Sequence, residues 1–434
     1  MSDTRIVHVQ ARRVWDSRGR PTVEVEVRLA SGAMGRAIAP AGASRGTHEA
    51  VDLRDGGAPF GGMGVDRAVA NVDGEIANRL AGMDAAEQKD VDDALAALDG
   101  THHFARLGGN AAIATSMAVL HAAAAASRLP LHAYVAHGAS VTLPMPEIQI
   151  FGGGAHAGRR VDVQDFMVMP VGARTFAQAL AMTAEVYRAA GDLMRDAGKL
   201  QGVADEGGYW PAFDRNEEAL DMLVKSIERA GFIPGDDVAI SLDIAASELG
   251  AGGRYRFGLE KREFDSDALT ELLLGWIDRY PIVSVEDPLG QDDPEGMVRF
   301  TRAAGSRVQV IGDDYLVTDA TRVADAARAG ACNALLVKPN QAGTITATFA
   351  ALQAAKAAGW GTIVSARSGE TEDVTIVHLA VGWNAGQLKV GSFARSERMA
   401  KWNEAIRIEE ALGDAAPLAA GLLARRPIRP MPDG

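Results

Sequence analysis

Three acidic residues each close a short apolar run: Asp243 in VAISLD, Glu286 in PIVSVED and Asp313 in VQVIGDD. The next run, ALLVKP, carries a lysine at its end, Lys338. Carboxylates at the ends of buried strands are hard oxygen ligands for a divalent cation, and an amine beside them can serve as a base. The pattern implies a metal site with a base beside it. One strand-end acid alone reads as a solvated cap or an ion-pair partner. Three in successive units, with a lysine next, favour a site.

The elements that position them follow from the runs themselves. Residues 238–243, 281–286, 308–313 and 334–338 are continuous aliphatic and β-branched stretches, as expected for strands of a parallel sheet covered on both faces. Amphipathic segments of helix length, such as DALTELLLGWIDRY and ATRVADAARAGA, lie between them. The repeating unit is strand, helix, strand, and several such units close into a barrel whose active site lies at the strands' C-terminal ends. The four residues then share one mouth.

The first part of the chain is organised differently. RIVHVQARRVWD, TVEVEVRLA and MGRAIAPA alternate as strands, and helices follow from about 65 to 128, an α+β order. The expected division is an N-terminal α+β capping domain over 1–142 and an α/β, (β/α)8-type barrel over 143–434, entered through EIQIFGGG. The tail ARRPIRPMPDG reads as loosely ordered.

Composition narrows the class. A chain of 434 residues with 47% hydrophobic residues can fill two cores. The net charge of −13 argues against a nucleic-acid partner and leaves only local basic sites for a small anionic substrate. The single cysteine, Cys332, lies in apolar RAGACNALLV, so it reads as a buried structural thiol and fits a reducing cytoplasm. MSDTRIVHVQ lacks the apolar core of a signal peptide, and the richest apolar stretch, AVLHAAAAASRLPL, reads as a short alanine-rich helix. Neither secretion nor a membrane partner is expected.

The loops at the strand ends carry further motifs. They are GGGAHAG with His156, VQDFMVMPVG with Gln164 and Asp165, VADEGG with Glu206, SARSGETED with Arg367 and Ser368, and LKVGSFARSER with Lys389. Together with ARRVWDSRGRPTVEVEV, GASRGTHEAVDLRDGG, LDGT, GGNAAIATSMAV and FARSERMAKWNEAIRIEE, they make the chain resemble the enolase family over essentially its whole length. The resemblance implies two Mg2+ ions per active site. Asp243, Glu286 and Asp313 match the ligands of the tighter ion, Asp314 matches a neighbouring acid, and Ser44 matches a lid-loop serine that helps hold the second. Lys338 matches the base acting at C2 of 2-phosphoglycerate, and Lys389 matches a lysine on the substrate carboxylate. Arg367 and Ser368 match a phosphate clamp, and Glu206, beside Asp165, matches the acid that helps the C3 hydroxyl leave. His156 and Gln164 fall in matched site loops, and a homodimer or larger assembly is implied.

The chemistry explains the combination. Removing a proton α to a carboxylate creates a dianionic aci-carboxylate, whose charge must be offset by cations. A lysine can take that proton only when part of it is neutral, so burial and neighbouring cations are expected to push Lys338 down. Elimination then needs a protonated acid on the hydroxyl side.

Departures from the family pattern cluster. Ala366 stands where histidine is usual, Asp165 where glutamate is usual, and Arg45 replaces a threonine in the lid motif. Arg20 replaces an asparagine, and HHF at 102–104 interrupts the residues after LDGT. A methylene lost from an acid can shift its carboxyl by about 1 Å, which can cost about 100-fold. The leading expectation is a divergent paralogue making an enolpyruvate product from 2-phosphoglycerate or a phosphonate relative. The carboxyphosphonoenolpyruvate synthases of phosphinothricin-type biosynthesis are its specific candidate, with Arg45 and Ala366 shaping a larger or more anionic site. The alternative is an ordinary enolase, converting 2-phosphoglycerate to phosphoenolpyruvate and water. A third reading, a weakly catalytic binding protein, predicts decay of the metal acids, yet all are present. Outside the site, Glu370, Glu372 and Asp373 read as helix N-terminal charges, and Arg395 and Arg398 as structural ion-pair partners.

Overall fold

The computed structural model describes residues 3–43 and 46–419. The expectations placed on Ser44, Arg45 and the tail ARRPIRPMPDG lie outside the described residues.

Alternation of apolar and polar residues makes an antiparallel meander of β1 (Ile6–Trp15), β2 (Pro21–Leu29) and β3 (Met34–Ile38). Val23, Val25 and Val27 are wholly buried, and the helix Gly109–Ala126 packs on β2 and β3. The approach is close enough that a Cβ at Gly35 would lie 2.1 Å from the Ala118 carbonyl oxygen. That helix is long and apolar enough to cross a membrane by length and composition, but 83% of it is buried inside the protein, as a core helix is. The helical region expected from 65 to 128 is interrupted. Gly100 and Gly108, at φ 67° and 100°, bracket a break between Gln88–Asp99 and Gly109–Ala126, because a left-handed backbone ends a helix. A further short helix, Leu131–Ala136, follows.

Eight strands then close a barrel. In chain order they are Met145–Gly152, Asp165–Met169, Ala239–Asp243, Ile282–Glu286, Gln309–Gly312, Ala334–Val337, Gly361–Ser365 and Gly386–Ser392, and the eighth pairs with the first. The strand runs are buried almost throughout, which accounts for their continuous apolar character. The helices between later strands start on side-chain caps. Asp293, followed by Pro294, accepts from the Gly296 N–H, Asp319 from that of Arg322, and Thr344 from that of Ala347.

Two features differ from a uniform strand-helix repeat. The second barrel strand runs antiparallel to both neighbours, because residues 153–164 contain only a single short 3-10 turn and cannot make a crossover. The enlarged unit between Asp243 and Glu286 carries a three-stranded antiparallel sheet, Gly250–Ala251, Arg254–Phe257 and Arg262–Asp265, before helix Ser266–Arg279. Cys332 is buried, and burial pushes its thiol well up, as suits a structural residue.

Candidate active site

The strand ends deliver their residues to one mouth. Asp243 and Glu286 close the third and fourth strands, while Asp313 and Lys338 stand one residue beyond the fifth and sixth. Arg367 and Ser368 follow the seventh, and Lys389 lies within the eighth. Asp165 opens the second strand, whose reversed direction sets it opposite Asp243. One pocket is lined by His156, Gln164, Asp165, Glu206, Asp243, Lys338, Ala366, Arg367, Ser368 and Lys389.

On one side of this pocket lies a dense charge network. Lys389 Nζ donates to Asp243 Oδ2 at 2.9 Å and to Glu286 Oε2 at 2.7 Å, and stands 3.6 Å from Asp165 Oδ2. Lys338 Nζ reaches Asp313 Oδ2 at 2.5 Å, and Gln341 Nε2 donates to Asp313 Oδ1 at 2.8 Å. Gln164 Nε2 donates to Asp243 Oδ2 at 3.1 Å. Burial tends to lower Lys338, but the Asp313 and Glu286 carboxylates together outweigh it and leave the lysine above its ordinary value. Arg367 and Lys389 act with burial to lower it, as expected of neighbouring cations, and a metal ion at Asp313 would add to them. Lys389 is likewise held well above the usual range, its burial outweighed by Asp243, Glu286 and Asp165.

The acids fit a metal ion by their chemistry. Glu286 is wholly buried, its Oε1 has no hydrogen-bond partner, and burial together with Asp243 pushes its carboxyl well up. An unsatisfied buried acceptor costs about 1–3 kcal/mol, which a cation bound by hard oxygens would remove. Among the described residues, the groups whose ligand atoms lie within 4.8 Å of one another are Asp287, Asp313 and Asp314, and His156, Asp165 and Glu206. Asp243, Glu286 and Asp313 stand wider than that, each carboxylate held by a lysine. Asp287 is an anchor rather than a ligand: its two oxygens accept the N–H groups of Asp313 and Asp314 at 2.9 and 2.8 Å. Asp314 is pushed up to about 8 by burial and by Asp313.

Next to this network lies a relay. His156 Nδ1 lies 3.0 Å from Asp165 Oδ1, and its Nε2 lies 2.9 Å from Ser368 Oγ and 3.7 Å from Glu206 Oε1. Burial would lower this imidazole, but Asp165 and Glu206 raise it to about 9. Although burial opposes it, His156 and Lys389 hold Asp165 far below the carboxylate range. Glu206 thus faces Asp165 across His156. Ala366 lies on the pocket wall beside Arg367 and Ser368.

Three residues here escape sequence reasoning. Gln149 Nε2 donates to Asp165 Oδ1, and its Oε1 accepts the Gly208 N–H at 2.9 Å, so it ties the acid to the loop bearing Glu206. Glu49 forms a bidentate pair with Arg367, at 3.0 and 3.2 Å. Gln341 joins Glu49 to Asp313. A glutamine inside a buried strand was the signal available for Gln149; the other two sit in segments whose meeting no local pattern reveals. Arg398, wholly buried, donates to the carbonyls of Arg367 and Ser368 at 2.7 and 2.6 Å, and so fixes the loop that carries them. Glu370 accepts the Arg367 N–H at 2.9 Å and pairs with Lys401 at 3.0 Å. It supports the clamp loop instead of acting as a helix-end charge. Asp373 accepts the Thr375 N–H at 2.8 Å, at the start of helix Thr375–Gly382.

Comparison with known proteins agrees with this arrangement. Residues 6–135 match the enolase N-terminal domain and residues 140–426 the enolase C-terminal TIM barrel domain. The protein named Enolase 1 of Desulfitobacterium hafniense (strain Y51) is 48% identical over 419 residues, covering 96% of this chain and 96% of that protein. An acid-lined barrel mouth beneath an N-terminal α+β unit, matched by both domain models, places this chain in the enolase family of lyases.

Proposed function

We propose that the protein is an ordinary enolase, dehydrating 2-phosphoglycerate to phosphoenolpyruvate. The observation that carries this reading is one pocket lined together by Lys338, by the His156, Asp165 and Glu206 group, and by Arg367 and Ser368. Bound at Asp243, Glu286 and Asp313, Mg2+ would stabilise charge on the substrate carboxylate. Lys338 takes the C2 proton, and Lys389 orients the carboxylate. Ser368 and Arg367 hold the phosphate. Glu206 donates to the departing hydroxyl, with the His156 imidazolium in place to support it. The substrate is a small phosphorylated acid, met in the cytoplasm by a homodimer or larger assembly that has no nucleic-acid or membrane partner.

The relative named Enolase 1 supports this reading over the divergent paralogue, and nothing in the chain's similarities supports the carboxyphosphonoenolpyruvate candidate. Ala366 and Asp165 are the observations that favour an altered second step. Purified protein with Mg2+ and 2-phosphoglycerate, followed by phosphorus NMR, separates the two. Phosphoenolpyruvate formed at ordinary rates is the expected result. No conversion, together with a product from nucleotide-activated phosphonoformate, would overturn it.

A further inference from the structure

Three of the chain's nine histidines meet at one place outside the catalytic pocket. His48 lies at the base of the segment entering the N-terminal helices, and His102 and His103 form the turn after LDGT. The His48 and His103 ring centroids are 6.1 Å apart, and so are those of His102 and His103. All three side chains are exposed, and none of their ring nitrogens has a hydrogen-bond partner among the described residues. The turn is fixed, since the His103 carbonyl accepts the Val51 N–H at 2.7 Å and His103 sits at φ 60°. His48 and His103 also line a cavity of about 250 Å³ between the helix Gln88–Asp99 and the loops after the fifth and sixth barrel strands.

We propose that His48, His102 and His103 form a binding site for a borderline divalent transition metal of the zinc or nickel class. Neutral imidazole prefers such ions, whereas the carboxylates of the barrel mouth suit harder ones. Two imidazoles on one zinc ion, with Zn–N of about 2.0–2.1 Å, place their ring centroids roughly 5 Å apart. The observed spacing is about an ångström wider, a gap that rotation of exposed side chains closes. Their ligand atoms do not converge within 4.8 Å as they stand, so the ion draws the rings together. Binding staples the segment next to Glu49, the partner of Arg367, to the turn of the N-terminal unit. Water or solute completes the coordination. This site uses no residue of the proposed reaction, so its failure and the failure of that reading are separate events.

The test is calorimetric titration of Zn2+ into the full chain, stripped of trace metal and held in saturating Mg2+. One equivalent should bind in the micromolar range, and His103→Asn should weaken it at least ten-fold. Asparagine tolerates the left-handed backbone at that position, and Mg2+-supported turnover should be unchanged in this variant. His137→Asn, at another exposed histidine, should leave zinc binding intact. A second measurement reads the site without a variant: zinc should protect His48, His102 and His103 from acylation by diethyl pyrocarbonate. Equal affinity in wild type and His103→Asn, or equal acylation of these histidines with and without zinc, would overturn the proposal.

Discussion

The two sides of the pocket are built on different principles. On the metal and base side, Asp243, Glu286, Asp313 and Lys338 come from the ends of consecutive parallel strands, and Lys389 from within another. Each carboxylate there has an ammonium against it. On the hydroxyl side, His156 and Glu206 come from connecting segments and Asp165 from the one reversed strand, and they are held by hydrogen bonds running through Gln149 and Ser368. Residues fixed by barrel strands keep their places with little help, whereas residues on loops need partners to hold them.

The sharpest way to break this comparison is to disable one side at a time. Lys338→Met should lower turnover by about 10²–10⁴-fold and abolish exchange of the C2 proton of 2-phosphoglycerate with deuterium oxide, followed by NMR. Glu206→Gln should also stop product formation but leave that exchange measurable. Loss of exchange in both variants would mean that the two sides do not act in separate steps.

A smaller effect is expected from restoring the usual hydroxyl-side residues. Asp165→Glu combined with Ala366→His should leave the turnover number within a few-fold of the wild type, because the relay through His156 already places the acid. A rise of about 100-fold would mean that positioning limits the wild-type rate.

Metal removal sharpens the charge-network half. Chelation should abolish activity, and Mg2+ at about 100 times its dissociation constant should stabilise the fold by about 2.7 kcal/mol. Each kcal/mol raises the melting temperature of a chain this large by about 1–2 °C, since the unfolding entropy grows with length. Glu286→Gln should lose most of that shift; retention of the full shift would move the ion away from Glu286.

The smallest effect tests the relay by pH. The folded His156 is raised to about 9, above an unfolded value of about 6.5. Its contribution to stability is therefore fully present below about pH 6.5 and is lost as pH rises through about 9. The melting temperature of the wild type should fall across this window more than that of His156→Gln. Parallel profiles would show that His156 carries no raised pKa.

Much of the metal and base side was legible because each residue ends an apolar run, and runs of that kind form strands wherever they meet. Asp243, Glu286 and Lys338 fall within one residue of their strand ends. The hydroxyl side was legible by motif resemblance alone, since nothing local reveals that the strand beginning at Asp165 runs backwards. The ion pair of Lys338 was illegible for a related reason: burial can be read from an apolar run, but the distance to the Asp313 carboxylate cannot. Glu49 and Arg367 lie 318 positions apart, and their pairing needs the folded barrel.

The reversed second strand also bears on the order in which the protein folds. Strands one and two form an antiparallel hairpin across residues 153–164, a local contact that closes with little loss of chain entropy. Closing the barrel instead requires Gln387 to meet Met145 across most of the chain, a pairing of high contact order and correspondingly slow. We expect the hairpin bearing His156 and Asp165 to gain amide protection early in refolding and the eighth strand, with Lys389, to gain it last. Pulse-labelled hydrogen exchange would decide this, and simultaneous protection of both would reject it. The relay around His156 would then be in place before the barrel that holds Lys389 is closed.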